Sequence, residues 1–148
     1  MNHPVSGVRL GIDVGSVRVG VARSDPAGIL ATPVATVRRD PGGADLDRLL
    51  SMIEEFEVVE VVVGLPRTLR GTDGPAVAAA RSYASAVSSR LEAAGRQIPI
   101  VFVDERLTSV SANRMLADRG IDSRARREIV DQAAAVGILQ SRLDGLGR

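Results

Sequence analysis

Residues 8–24 read VRLGIDVGSVRVGVARS, and this stretch decides how the rest of the chain is interpreted. Val8 to Val14 is a mainly apolar run, and Arg18 to Ser24 is a second run rich in valine. Gly15-Ser16 separates them, which is typical of two strands joined by a short turn. A third strand is predicted from about Ile29 to Val37. The spacing of the three segments predicts an antiparallel meander.

The remainder of the chain alternates helices and strands. The predicted elements are a helix at about 46–56, a strand at 58–64, a helix at 75–94, a strand at 98–103, and helices at 109–119 and 124–143. The almost continuous β-branched run from Val58 to Gly64 is typical of a parallel strand that is covered on both faces. The order βββαβαβαα predicts one α/β domain over residues 1–148. A mixed five-stranded sheet, with the meander first and parallel strands after it, is flanked by helices, as in the ribonuclease H-like fold.

Composition removes several classes of chemistry. The chain has 148 residues, 45% of them hydrophobic, no cysteine, and a single histidine, His3. Disulfides, thiolate catalysis and histidine-rich metal sites are therefore excluded or disfavoured, so oxygen ligands remain. No membrane-spanning stretch or signal segment is visible, which predicts a cytoplasmic protein without a membrane partner. The net charge is only +1, but all nineteen basic side chains are arginine, which binds phosphate through two hydrogen bonds.

Three carboxylates occur where the pattern predicts burial or a sheet edge. Asp13 interrupts the first strand, Glu105 follows the fifth, and Asp131 shares a helix stripe with apolar residues. A buried carboxylate needs a cation, a hydrogen bond or a pKa shift to compensate it. Taken singly, they also fit a turn cap, a salt-bridged strand end and a partly exposed helix acid. Together they suggest a site for Mg²⁺ or Mn²⁺ and metal-dependent phosphoryl transfer.

Four motifs also resemble a known family. They are Leu10-Gly11-Ile12-Asp13-Val14-Gly15 with Arg18-Val19-Gly20, Val63-Gly64-Leu65-Pro66 with Gly71-Thr72, Val103-Asp104-Glu105-Arg106-Leu107-Thr108, and Asp131-Gln132-Ala133-Ala134-Ala135. In this order and at these separations, over about residues 8–143, they resemble the YqgF or RuvX family. That family is described as pre-16S rRNA nucleases and as Holliday-junction-resolvase-like proteins of the ribonuclease H-like superfamily.

The resemblance implies roles for the same three acids. Asp13 is similar to the first-strand metal ligand, Glu105 to the second acidic ligand and Asp131 to the one on a helix. The resemblance favours Glu105 over Asp104 as the second ligand, a choice that strand alternation alone leaves open. It also implies that the chain is a metal-dependent nuclease of ribosome biogenesis that processes the 5′ end of pre-16S rRNA. The end of the fourth strand carries Gly64-Leu65-Pro66 where true junction resolvases of this fold would be expected to carry an acid, so resolvase chemistry does not transfer directly.

Nucleic-acid contacts are predicted from arginines near the same sheet edge. Arg18, Arg67 and Arg70 fall on predicted turns or loops, where binding residues are common. Arg106 is either a phosphate contact or an ion-pair partner that orients Asp104 or Glu105. The expected partner is structured RNA, namely pre-rRNA, or branched DNA, since few aromatic residues are present for base stacking.

Three alternatives stay open. A Holliday junction resolvase would cut two strands together, which calls for a homodimer. A noncatalytic RNA-binding assembly factor would keep the fold without the chemistry. A nucleotide-binding ATPase is suggested by Asp13-Val14-Gly15 followed by Gly20, which resembles a first phosphate loop of the actin and sugar-kinase group. That group needs two such domains, and one is predicted here.

Overall fold

The computed structural model describes residues 6–68, 70–107 and 124–146. Its elements in chain order are β1 (Arg9–Val14), β2 (Arg18–Ser24), β3 (Ala31–Arg38), α1 (Ala44–Glu55), β4 (Glu60–Leu65), α2 (Pro75–Ala93), β5 (Ile100–Asp104), a 3₁₀ turn (Glu105–Leu107) and α3 (Arg124–Asp144). The helix predicted at 109–119 lies outside the described residues. None of the helices in the described ranges has both the length and the apolar character needed to cross a membrane.

The strands form one sheet in the order β3-β2-β1-β4-β5. β1 pairs antiparallel with β2 and parallel with β4, β3 pairs antiparallel with β2, and β5 pairs parallel with β4. The predicted mixed five-stranded sheet, with β1 at its centre, is therefore confirmed. Because β1, β4 and β5 run parallel, their carboxyl ends lie at the same edge of the sheet, where ligand sites of open α/β sheets are usually found.

Some element boundaries differ from the prediction. β3 begins at Ala31 rather than residue 29, because a carboxylate oxygen of Asp25 accepts the backbone N–H groups of Ile29 and Leu30 at 2.8 and 2.7 Å. An aspartate that binds nearby backbone N–H groups in this way stabilises a turn instead of a strand. The predicted starts of β4 and β5, at 58 and 98, move to residues 60 and 100.

The sheet separates two apolar cores. One core contains Leu10 and Ile12 of β1 and packs against α1 and α2. The other contains Val62 and packs against α3. Because successive strand residues point to opposite faces, Gly11 and Asp13 face α3. In agreement, a Cβ placed on Gly11 would lie 2.7 Å from the Cβ of a leucine in α3.

Candidate active site

Asp13 lies near the end of the central strand, between two positions that have no side chain. Its partner on β2 is Gly20, and on the other side Gly64 follows Val63, which pairs with Ile12. Asp13 is 5% exposed. The sheet positions on either side of this carboxylate therefore carry no side chain on the face that α3 covers.

Neighbouring atoms lie too close to Gly20 and Gly64 for either position to carry a side chain. A Cβ on Gly20 would overlap the main-chain oxygen of Asp131, and one on Gly64 would overlap an α3 side chain and lie 3.2 Å from Cγ of Glu105. A strand glycine often marks a site where another backbone comes close. Here the glycines allow Asp131 and Glu105 to approach the sheet on either side of Asp13. The three predicted acids therefore share one face of the sheet.

Asp104 and Glu105 are neighbours in sequence but lie on opposite faces. Asp104 pairs with Leu65, whose side chain belongs to the core under α1 and α2. Glu105 is 2% exposed and lies next to Gly64 on the α3 face. The structure thus places Glu105, and not Asp104, on the face of Asp13, although its catalytic role stays a prediction.

A cleft of about 360 Å³ opens over the turn between β1 and β2. Its described lining consists of Asp13, Val14, Gly15, Ser16, Val17, Arg18, Arg127 and Asp131. Nε of Arg18 donates to Oδ2 of Asp131 at 2.8 Å, and each of these side chains is 23% exposed. The cleft brings Asp13 and Asp131 together with the predicted contact Arg18, while Glu105 lies outside this lining.

Arg127 is a cleft residue that the sequence interpretation did not include among the site residues. It is exposed and lies in the first turn of α3, four residues before Asp131. Residues four apart share one face of a helix. This spacing from a predicted metal ligand is the signal in the sequence that identifies Arg127.

Two of the other predicted arginines, Arg67 and Arg106, lie beside Asp104. Arg106 donates to Asp104 from Nε at 3.0 Å and from Nη2 at 2.6 Å, and these hydrogen bonds lower the pKa of the Asp104 carboxyl. Arg67 donates from Nε to Asp73 at 2.9 Å and has Nη1 3.7 Å from Asp104. Arg70 is exposed on the same loop. Of the two roles considered for Arg106, the structure shows the ion pair with Asp104.

The three acids fit a hard divalent cation in chemistry. Carboxylate oxygens are preferred ligands of Mg²⁺ and Mn²⁺, and Asp13, Glu105 and Asp131 lie on the same side of the sheet. In the described part of the chain, however, no three His, Asp or Glu side chains are close enough to hold one ion. The side chain of Asp131 binds Arg18.

A family model described as "RuvX: Holliday junction resolvase" matches residues 7–145. The chain belongs to the RuvX family. The matched range contains every strand and helix that carries the candidate site. The resemblance seen in the four sequence motifs is thereby confirmed.

Relatives of this RuvX chain share a name. A Frankia casuarinae protein named "Putative pre-16S rRNA nuclease" is 56% identical over 138 residues, which cover 93% of this chain and 66% of the relative. A Rhodococcus jostii protein of the same name is 49% identical over 152 residues, covering 100% of this chain and 83% of the relative. The chain thus spans just under two thirds of the length of the Frankia protein.

Solved structures show the fold. The RuvC protein of T. thermophilus, in a complex with a Holliday junction substrate, matches with a TM-score of 0.55 and 17% identity over 95% of this chain and 96% of that chain. A second Thermus thermophilus RuvC structure matches with a TM-score of 0.52 and 17% identity, covering 92% and 93% of the two chains. At this identity the similarity establishes the ribonuclease H-like architecture of the RuvX chain.

Proposed function

We propose that this RuvX chain is a divalent-metal-dependent nuclease that hydrolyses phosphodiester bonds, with the 5′ region of pre-16S rRNA as its substrate. One observation carries the proposal. Asp13, Glu105 and Asp131 come from three separate elements and lie on one face of the sheet, where Gly20 admits the main chain of Asp131 and Gly64 has Glu105 as a neighbour.

The proposed roles follow from placement. Asp13 lies on the central strand, so it would be the acid shared by two ions, with Glu105 and Asp131 each completing one ligand set. Mg²⁺ or Mn²⁺ bound there would supply a water of lowered pKa and positive charge near the leaving oxygen. Arg127, exposed at the mouth of the cleft, is placed to contact the phosphate backbone.

The substrate proposal rests on the names of the relatives and on the lining of the cleft. Both quoted relatives are named for pre-16S rRNA. The described lining contains arginine and no aromatic side chain, which favours recognition of backbone and shape over base stacking. Arg67, Arg70 and Arg106 would extend the contact surface along the loop before α2. With this substrate, the activity belongs in the cytoplasm.

A Holliday junction is the second candidate substrate, because the family description names a junction resolvase. Coordinated cutting of two strands would require two active sites, and a symmetric homodimer would supply them. A chain that resolves junctions is therefore expected to be dimeric at the concentrations at which it cuts.

A cleavage assay tests the proposal. Labelled substrates of matched length, a pre-16S rRNA 5′ segment, a four-way DNA junction and single-stranded RNA, are incubated with Mg²⁺, Mn²⁺ or EDTA. The wild type is compared with Asp13→Asn and with Asp47→Asn, a matched change at a side chain 69% exposed on α1. Loss of several kcal/mol of charge stabilisation predicts that Asp13→Asn slows cleavage by at least about 10³-fold, while Asp47→Asn does not.

The substrate that is cut distinguishes the candidates. Preferential cutting of the rRNA segment supports the proposal. Preferential cutting of the four-way junction would instead support a junction resolvase. RNA binding without cutting under any metal condition would favour a noncatalytic assembly factor. Cutting that is equally fast in Asp13→Asn would refute the assignment of this site.

A further inference from the structure

The ion pair between Arg18 and Asp131 occupies the place where a cation is expected. Both side chains line the cleft together with Asp13, and Asp131 is one of the three acids predicted to hold metal. A guanidinium is itself a cation, so in this arrangement it neutralises one of the acids.

The backbones of both partners are held in place by their surroundings. The N–H of Gly15 donates to the carbonyl oxygen of Arg18 at 2.9 Å, which closes the turn before β2. The main-chain oxygen of Asp131 lies against Gly20. The two side chains consequently remain within reach of each other and of the cleft, and a change of partner needs only side-chain rotation.

The pair is also of a kind that can open. Nε of Arg18 donates a hydrogen bond to Oδ2 of Asp131, and each side chain is 23% exposed to water. Partly exposed single pairs contribute little net free energy because water and counterions compete for both charges. A divalent cation offers Asp131 twice the charge, and a phosphate offers Arg18 a site for two hydrogen bonds.

We propose that Arg18 is a positioning residue that exchanges partners, holding Asp131 in the metal-free protein and moving to a substrate phosphate when a divalent cation binds Asp131. This inference rests on the proposed metal-dependent nuclease function. In the exchange the incoming ion replaces the guanidinium charge beside the acids, and the released guanidinium pairs with the negative charge of the nucleic acid. Metal and substrate then promote each other's binding.

Metal binding without nucleic acid is the first test. Titration calorimetry with Mn²⁺ compares the wild type with Arg18→Ala, Arg18→Lys and Arg127→Ala. Removing the competing cation is expected to tighten Mn²⁺ binding by about three- to tenfold in Arg18→Ala. Arg127→Ala removes a charge from the same cleft and controls for general electrostatics, with an expected change below about twofold. Arg18→Lys keeps the charge, so its Mn²⁺ affinity is expected to lie between those of the wild type and Arg18→Ala.

Nucleic-acid binding in EDTA is a second, metal-free test. Asp131→Asn releases Arg18, so its affinity for the labelled rRNA segment is expected to rise by about threefold. In an Arg18→Ala background the same change at Asp131 is expected to have a smaller effect, because the released arginine is absent. This double-mutant cycle measures the coupling between the two side chains directly.

The outcomes separate this inference from the proposed function. Equal Mn²⁺ affinity in wild type and Arg18→Ala, or equal gains in Arg18→Ala and Arg127→Ala, would overturn the exchange and leave the nuclease proposal intact. Absence of Mn²⁺ binding in every variant would overturn both. If Arg18→Ala fails to fold, the Mn²⁺ affinity of Arg18→Lys and the nucleic-acid affinity of the single variant Asp131→Asn still decide the matter.

Discussion

The two ends of α3 are joined to the sheet by ion pairs of different construction. Near its C-terminal end, Nε and Nη2 of Arg142 each donate to one oxygen of Glu60 at 2.9 Å, and Nε of Arg9 lies 3.3 Å from the same carboxylate. The Arg9 and Glu60 side chains are only 5% and 10% exposed. Near the other end, the Arg18 and Asp131 pair has a hydrogen bond of 2.8 Å and is 23% exposed.

This difference separates a structural pair from an exchangeable one. A buried carboxylate with two arginines around it cannot lose a partner without leaving a charge in a poorly hydrated place. A partly exposed pair can open, because water and ions replace the contacts that it loses. One end of α3 is therefore held to the sheet by a buried ion pair, and the charged side chains at the other end can bind other ions.

The largest loss of stability is expected from breaking the buried ion pair near the C-terminal end of α3. Glu60→Ala leaves Arg9 buried without the carboxylate, so the free energy of unfolding is expected to fall by about 3–5 kcal/mol. Urea denaturation measures it. Glu54→Ala is the matched control, since that carboxylate is 55% exposed and pairs with Arg96 at 3.6 Å. A loss below about 1 kcal/mol for both variants would show that the two ends of α3 do not differ.

A smaller loss is expected from closing the space at the cleft end. The Cβ of Gly20→Ala would overlap the main chain of α3 at Asp131, so the helix must shift, at a cost of about 1–3 kcal/mol. Denaturation and Mn²⁺ titration of this variant are expected to show losses of stability and of metal affinity together. Gly145→Ala meets only ordinary contacts at 3.6 Å and is expected to change stability by less than about 0.5 kcal/mol. Unchanged stability in Gly20→Ala would contradict the close approach.

A still smaller loss of stability is expected from removing Arg18, which pairs with Asp131 of α3. Arg18→Ala is expected to lower the free energy of unfolding by less than about 1 kcal/mol, because the pair is partly exposed. Its effect is expected on metal and nucleic-acid affinity instead. A loss as large as that of Glu60→Ala would make Arg18 a structural residue like Arg142.

The smallest effect concerns a third pair, Asp104 with Arg106. Hydrogen bonds from Arg106 lower the pKa of Asp104 below its ordinary value of 3.8. The resulting stabilisation is fully present above the ordinary pKa and is lost as the pH falls through the lowered pKa of the folded protein. Denaturation of wild type and Asp104→Asn between about pH 7 and pH 2 is therefore expected to show a small difference that disappears at the acid end. A difference that grows toward low pH would refute the ion pair as its source.

Much of the fold was predictable because its signals are local. The runs that contain Asp13 and Gly20, the β-branched run of β4, and Pro75 at the start of α2 each depend on near neighbours. The mixed sheet follows from these elements and the rules for their connection. The ends of elements were less predictable, as at Asp25, whose side chain binds Ile29 and Leu30.

The acids of the candidate site could be named from the sequence motifs, but their faces and partners could not be derived from local patterns. Alternation could not choose between Asp104 and Glu105, because the covered face of each strand is set by helices distant in sequence. Arg127 was missed because its relevance depends on the face of α3 that contacts the sheet. Arg106 had two open roles; the structure shows its ion pair with Asp104, and the phosphate contact stays a prediction.

The sequence alone determined the class of fold, the order of the elements and the oxygen-rich character of the candidate site, since periodicity, turns and composition are properties of the chain itself. Only the tertiary structure decided which acids share a face and which arginine each acid binds. Arg18 and Asp131 are separated by 113 residues. An arginine can pair with an acid, a phosphate or water, so folding and burial determine its partner.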